Sequence, residues 1–324
     1  MKQFFAVLRL VLSCLVLSFT CAVTAQAQYP NRPVKLVVPF TPGTGIDILA
    51  RVFAQKLQER TKNPVVVENR PGASGNIGTE AVAKAPADGY TLLFTATTLV
   101  QSAVLNKSVP YDPKGMTPIG LAAVGNLSLV AHPSVPAKTV AELVALAKAQ
   151  PGRLNYASPG NATPHHLAME LLKLHFAVNL VHVPYKGTAG AVTDILGGQV
   201  QLMFLPVHVA LPQVQAGKLS MLASGGAQRS SATPDVPSLA EAGVRDIDVD
   251  IWYALFGPPG LPREVVSFMG AELAAILGDA EVRAGLLKQG LSPRTGSPAE
   301  LSKLIESDLE RWGRVVREAR ISAD

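Results

Sequence analysis

Short runs of β-branched and other apolar residues recur along this chain. Each ends in a loop of Gly, Pro, Ser and Thr that opens onto a stretch with helical spacing. Val34–Val38 is such a run; Thr41-Pro42-Gly43-Thr44-Gly45 breaks it, and Ile46, Leu49, Phe53 and Leu57 then recur at intervals of three and four. A run that is apolar throughout is buried on both faces, as in a parallel sheet held between helices. Residues 64–67 form a second run, a helix is expected around 80–84, and 91–95 is a third run after the turn Asp88-Gly89. Strand, loop, helix, strand, helix, strand is the order of a parallel α/β sheet.

The rhythm returns in the middle of the chain. Leu127–Ala131 reads as a strand, and Val140–Ala149 as a helix stopped by Pro151-Gly152. Residues 154–157 give another strand, and Pro164–Phe176 a helix with Pro at its favoured first turn. The alternation runs on through 180–183, 189–196, 200–204, 211–216 and 219–223, and residues 224–249 then carry little periodicity. A strand over 251–256 follows, then three helical stretches opening near Arg263, Ala280 and Pro298. No repeat of 20–50 residues is visible in the sequence.

Composition narrows the class. Of 324 residues, 48% are apolar and 16% charged, with 27 Gly and 25 Pro, which excludes a disordered chain and a coiled coil. The length suits two domains of ordinary size. At the start, Lys2 and Arg9 precede an apolar stretch that ends before Ala25-Gln26-Ala27. A basic start, a short apolar core and an A-x-A site predict a cleaved leader over residues 1–27, and hence an exported, periplasmic protein. Cys21 follows Thr20 instead of a small residue, which argues against a lipoprotein anchor. Both cysteines, Cys14 and Cys21, fall inside that leader, so disulfides and thiol catalysis are not expected. The net charge of +5 includes Lys2 and Arg9, and no Lys/Arg run suggests nucleic-acid binding. Arg311, Arg314, Arg317 and Arg320 form a stripe on the last helix, read as a solvated face.

Enzyme signatures are missing. Gly72-Ala73-Ser74-Gly75-Asn76 is the nearest approach to a nucleophile elbow, and neither a phosphate loop nor H-E-x-x-H occurs. His132, His165, His166, His175, His182 and His208 cluster in sequence but lie on different elements, so no metal and no cofactor is expected. Four loops carry the chemistry that remains. They are Thr41 to Gly45, Thr95 to Thr98, Ser158 to Thr163 and Tyr185 to Thr188, two in each half, and each leads into a helix. In α/β sheets ligands bind outside the carboxyl ends of strands, where helix N-termini expose N–H groups and attract anions. Together the loops predict an anion held in a cleft between two lobes.

An ordered series of motifs adds a resemblance. Tyr29-Pro30-x-Arg32-Pro33 through Phe40, VVVENRPG over 65–72, DGYTLL over 88–93, HVPYKG over 182–187, Ala216-Gly217-Lys218-Leu219, Pro234-Asp235-Val236-Pro237 and Glu241-Ala242-Gly243 run in sequence. With them the chain closely resembles the Bug family, the extracytoplasmic solute receptors of tripartite tricarboxylate transporters. The resemblance implies an α/β, two-lobed type II periplasmic-binding-protein fold, each lobe a mainly parallel sheet flanked by helices. It implies a first lobe of residues 28–125 plus 225–324 and a second of 126–224. It further implies a monomer that captures a small carboxylate, a di- or tricarboxylate or an aromatic acid, and delivers it to membrane permease subunits. Carried onto this sequence, the ligand contacts are Phe40, Gly43, Thr44, Gly45, Thr95, Thr97, Ser158, Asn161, Ala162, Thr163, Gly187 and Thr188.

The chain departs from the family pattern in places. Thr41 and Thr44 replace a Pro and a Gly, Ala162 stands where a second Gly is common, and Leu205 stands where many relatives carry Asp. The last change removes an acceptor for an ammonium, so a carboxylate without an amino group is expected. A secreted α/β hydrolase and a sensor feeding a signalling protein are the alternative readings.

Overall fold

The computed structural model describes residues 29–318 and 321, apart from 227, 230, 231 and 245–248. The expected leader and Arg320 lie outside the described residues. The chain first lays down β1 (Val34–Val38), α1 (Gly45–Thr61), β2 (Val65–Asn69), α2 (Asn76–Ala83), β3 (Thr91–Ala96), α3 (Thr98–Leu105) and β4 (Thr117–Gly125). It then builds a second unit from β5 (Leu127–Ala131), α4 (Val140–Ala149), β6 (Asn155–Ser158), α5 (Pro164–Phe176) and β7 (Val181–Pro184). That unit is completed by α6 (Thr188–Leu196), β8 (Leu202–Pro206), α7 (Val207–Gln215) and β9 (Ser220–Ser224). The return consists of β10 (Ile251–Gly257), α8 (Arg263–Gly278), α9 (Ala280–Lys288), β11 (Leu291–Gly296) and α10 (Pro298–Glu318).

These elements make two sheets, ordered β11-β4-β10-β3-β1-β2 and β7-β6-β8-β5-β9. Within the first, β1, β2 and β3 are parallel, and β10 runs antiparallel to both β3 and β4, so β4 runs with the parallel set. In the second, β6, β7 and β8 are parallel, and β5 is antiparallel to β8 and β9. Each sheet is therefore mainly parallel with a reversed strand pushed in between its third and fourth parallel members, and the first sheet adds the antiparallel edge strand β11 beside β4. The inserted strand is the one arriving from the other lobe: β5 from β4, and β10 from β9. Read by position, β2-β1-β3-β10-β4 and β7-β6-β8-β5-β9 are the same arrangement twice.

The strands form where the sequence is most apolar. All seven residues of β10 are buried, as are all five of β5 and of β8. Ile46, Leu49, Ala50, Phe53, Ala54 and Leu57 turn one face of α1 into the core, and Lys62 closes the helix in a left-handed conformation. Residues spaced likewise on α10, Leu301, Ile305 and Trp312, pack on the first sheet, where the Trp252 indole N–H donates to the buried Asp308 carboxylate at 2.7 Å.

The two crossings lie side by side. Asn126, between β4 and β5, donates from its side-chain amide to Asp250 at 2.6 Å, and Asp250 immediately precedes β10. Gly225 N–H donates to Leu127 carbonyl at 2.5 Å. The first connection is the single residue Asn126, the second runs over residues 225–250, and adjacent crossings of this kind are where hinge motion between lobes concentrates. Among the described residues, no helix is long and apolar enough to cross a membrane.

Candidate functional site

The carboxyl ends of β1 and β6 occupy equivalent places in their sheets, and the loops that follow them are built alike. On the first lobe Thr44 precedes α1. Its hydroxyl donates to Thr41 carbonyl at 3.2 Å and accepts from Asp47 N–H at 3.4 Å. The Asp47 carboxylate reaches back to Gly43 N–H at 3.0 Å. On the second lobe Thr163 precedes α5 and donates to Gly160 carbonyl at 2.7 Å, while His166 Nδ1 accepts from Ala162 N–H at 3.2 Å. The backward bonds are shared, with a carboxylate accepting in one copy and an imidazole in the other, although only Thr44 also caps its helix with its own hydroxyl.

Between the lobes lies a cavity lined by Phe40, Thr44, Gly45, Ile46, Thr98, Thr163, Pro164, His165, Thr188, Pro206, Val209, Ile251 and Tyr253. About 30 Å3 of it is free, room for roughly two waters. The first turns of α1, α3, α5 and α6 all meet there, so unpaired helix N–H groups from both lobes face one space. Of the residues expected at the site, Phe40, Thr44, Gly45, Thr163 and Thr188 border this cavity. Gly43, Thr95, Thr97, Ser158, Asn161, Ala162 and Gly187 lie in the same loops behind that lining. Thr97 is fully buried and bound to β10: its hydroxyl accepts from Trp252 N–H at 3.0 Å, and its own N–H donates to Trp252 carbonyl at 3.1 Å. Ala162 holds φ near 61°, a left-handed conformation that a glycine adopts without strain, which accounts for the family's preference there.

Two glycines let the lobes touch. A Cβ on Gly160, at φ 138°, would fall 2.6 Å from Ser74 Oγ of the first lobe, and one on Gly187 would fall 2.8 Å from Thr41 Cγ2. Gly45 is equally enclosed, since its Cβ would meet Tyr253 Oη at 2.7 Å and His208 Cε1 at 3.2 Å.

Electrostatically, no Lys, Arg, Asp or Glu borders the cavity. Burial alone would raise the Asp47 carboxyl, but hydrogen bonds from Arg51, Gly43 and Asn69 hold it below the usual carboxylate value. The four buried histidines of the second lobe, His165, His166, His182 and His208, are held neutral. Burial, with His208 nearby, pushes His165 down to about 3, and burial pushes His166 and His208 down to about 4. His182, pushed down to about 3 chiefly by burial, stacks on His166 at 4.2 Å and on Tyr156 at 4.7 Å. Its Nε2 lies 2.7 Å from Ser158 Oγ, a spacing that a nucleophile and its base would have. Ser158 is fully buried, however, and its hydroxyl also donates to Gly160 carbonyl at 3.0 Å, so the pair braces the ligand-side loop. Among the described residues, no three His, Cys, Asp or Glu side chains are grouped to hold a metal.

Sequence reasoning missed Ile46, Thr98, Pro164, His165, Pro206, Val209, Ile251 and Tyr253. Thr98, Pro164 and His165 belong to helix starts already singled out, whereas Ile251 and Tyr253 come from a strand that reads as core. Leu205, flagged by its departure from the family, is wholly buried in β8 and lies outside the lining.

The pattern for the tripartite tricarboxylate transporter family receptor matches residues 49–321. Among solved structures, the chain is similar to periplasmic binding protein BugD, with 32% identity, a TM-score of 0.86, and coverage of 91% of this chain and 99% of that one. It is similar to Rpa4515 of R. palustris with adipate, at 34% identity and a TM-score of 0.88 over 91% and 99% of the two chains. The MatC protein of Rhodopseudomonas palustris with bound malate is a further likeness, at 29% identity and a TM-score of 0.84 over 89% and 100%. Motifs, sheet order and these likenesses agree: the chain belongs to the tripartite tricarboxylate transporter receptor family and is a solute-binding receptor of the Bug type.

Proposed function

We propose that this receptor acts in the periplasm, closing its lobes on a small carboxylate and presenting the closed form to the permease subunits of a tripartite tricarboxylate transporter. The observation that carries this reading is the convergence of four helix N-termini and four buried threonines on a cavity free of charged side chains. Such a site attracts an anion through N–H groups and the helix dipoles without needing a lysine or arginine. Likeness to proteins holding adipate and malate supports a carboxylate. Contacts that bridge both lobes exist only when the lobes are together, so the ligand favours the closed form by its differential affinity. Of the expected contacts, those on the lining, Phe40, Thr44, Gly45, Thr163 and Thr188, would touch the ligand directly. Thr95, Thr97, Ser158, Asn161, Ala162, Gly43 and Gly187 would shape their loops.

The test is calorimetry on protein stripped of bound ligand, using a panel of mono-, di- and tricarboxylates with the matched amides as controls. At 100 times its dissociation constant a true ligand adds about 2.7 kcal/mol of stability, which a melting curve reads directly. Binding of an acid and not of its amide is the expected result. Indifference to every acid would overturn the carboxylate reading.

A further inference from the structure

His165 is the polar group of the cavity that has been left without a partner. It is 8% exposed and lines the cavity, and neither Nδ1 nor Nε2 has a hydrogen-bond partner. His208 stands beside it, with Nε2 likewise buried and unpaired and Cε1 close to Gly45. A buried polar atom without a partner costs roughly 1–3 kcal/mol, so an imidazole in this state on the cavity lining, with a second behind it, points to a ligand group that completes it.

The remaining lining says what that group is. Thr44 and Thr163 already donate their hydroxyl protons to backbone carbonyls, and the hydroxyls of Thr98 and Thr188, each at a helix start, join the N–H groups that meet the carboxylate. Phe40, Ile46, Pro164, Pro206, Val209, Ile251 and Tyr253 present mostly apolar surface. The side chains facing His165 across the cavity, on α1, α3, α6, α7 and β10, include no carboxylate and no cation; Tyr253 is the titratable one on the lining, and His208 lies behind it, near His165 and Gly45. Helix N-termini can meet one negative charge. A second would sit among neutral groups, and burying an unpaired carboxylate is costly. A neutral imidazole offers one donor and one acceptor, the complement of a hydroxyl.

We infer that His165, seconded by His208, is the specificity-determining residue of this receptor, selecting a monocarboxylate that carries a neutral hydroxyl over the dicarboxylate of equal length. This deepens the carboxylate-receptor reading and rests on it. His165 is neutral because burial disfavours the imidazolium, so it cannot offer a second carboxylate a counter-charge.

Two matched triples test the inference by calorimetry at pH 7: 4-hydroxybutyrate, butyrate and succinate, then 4-hydroxybenzoate, benzoate and terephthalate. In at least one triple the hydroxy acid should bind tenfold or more tighter than both companions. His165→Phe should collapse that preference to within about twofold, and His165→Asn, which keeps a donor and an acceptor, should restore part of it. His208→Gln, read the same way, covers the case in which His165→Phe does not fold. A diacid binding as tightly as its hydroxy acid, or a preference unchanged in both variants, overturns the inference while leaving the receptor reading intact. Failure of every acid to bind removes both.

Discussion

The two lobes repeat one arrangement and differ at the spot where it matters for an anion. Strand β1 leads through a loop ending in Thr44 into α1, and β6 leads through a loop ending in Thr163 into α5. In both, the fourth residue after the loop residue whose N–H is left over turns back to accept from it. In the first lobe that acceptor is Asp47, an ionised carboxylate held by Gly43, Arg51 and Asn69. In the second it is His166, an imidazole kept neutral by burial. A carboxylate at a helix N-terminus stabilises the helix but offsets the positive end of its dipole; a neutral acceptor satisfies the same N–H and leaves the dipole exposed. On the proposed carboxylate reading, the first lobe is tuned for its own stability and the second for attracting the negative ligand. All six histidines of the sequence lie between β5 and β9, and burial keeps four of them, His165, His166, His182 and His208, uncharged inside the second lobe.

The largest expected effect separates the lobes by acid. His165, His166 and His208 have folded values below the ordinary imidazole value near 6.5. The unfolded chain therefore binds more protons, and the stability these groups contribute is present above pH 6.5 and lost as pH falls toward 4 or 3. At pH 5 a fully buried imidazole costs about 2 kcal/mol relative to neutral pH, at 1.36 kcal/mol per unit. Hydrogen exchange at pH 7 and after transfer to pH 5 should show the second lobe opening first. Equal loss of protection in both sheets would break the comparison.

Next in size is His166→Asp, which copies the first lobe's capping scheme into the second. At an effective dielectric near 20, two carboxylates about 7 Å apart repel by about 2 kcal/mol, so a new charge at that reach would weaken carboxylate binding by up to about thirtyfold. Carboxylate affinity measured against His166→Gln isolates the charge, since Gln keeps a neutral acceptor. A smaller penalty follows from Gly160→Ala. The new methyl, at a left-handed backbone position and 2.6 Å from Ser74 Oγ, should hold the lobes apart. Small-angle scattering should then show less compaction on ligand addition, with affinity reduced about tenfold. Full compaction would mean that the lobes meet elsewhere.

Much of this was legible in the sequence, for physical reasons that also mark where reading stops. The buried strands β1, β3, β5 and β10 are rich in apolar and β-branched side chains and stand out by themselves, and Thr44, Pro164 and Thr188 mark helix starts through residue types with capping or turn preferences. Strand β4 escaped notice. Its sequence, TPIGLAAVG, has little β-propensity and is held in place by β10 and β11 on either side. Edge strand β11 carries Pro293 and Arg294 and reads as a loop. The repeated rhythm of strand, loop and helix was legible in both halves, but the equivalence of Asp47 and His166 was not, because they do the same geometric work with unrelated chemistry. At the cavity, loops rich in Gly and Thr advertised Thr44, Gly45, Thr163 and Thr188. Tyr253 and Ile251 could not be found that way, since a residue on a buried strand borders a ligand only when the other lobe closes over its end.

The smallest effect is also the sharpest probe of the asymmetry. Asp47→Asn keeps an acceptor for Gly43 N–H and a similar volume, and removes one negative charge from the start of α1. The ion pair with Arg51, at 2.9 Å and half-exposed on the arginine side, contributes little on its own. Stability should therefore fall by only about 1 kcal/mol, mostly from weaker hydrogen bonds. Ligand affinity should move the other way. With the carboxylate gone, α1 regains its dipole, worth about 0.3–1 kcal/mol toward an anion, so carboxylates should bind two- to fivefold tighter. The gain should shrink at high salt to the extent that the site is open to solvent. A loss of affinity would show that Asp47 serves the ligand loop mainly by holding Gly43 and Asn69 in place, and that the two capping schemes differ in rigidity and not in field.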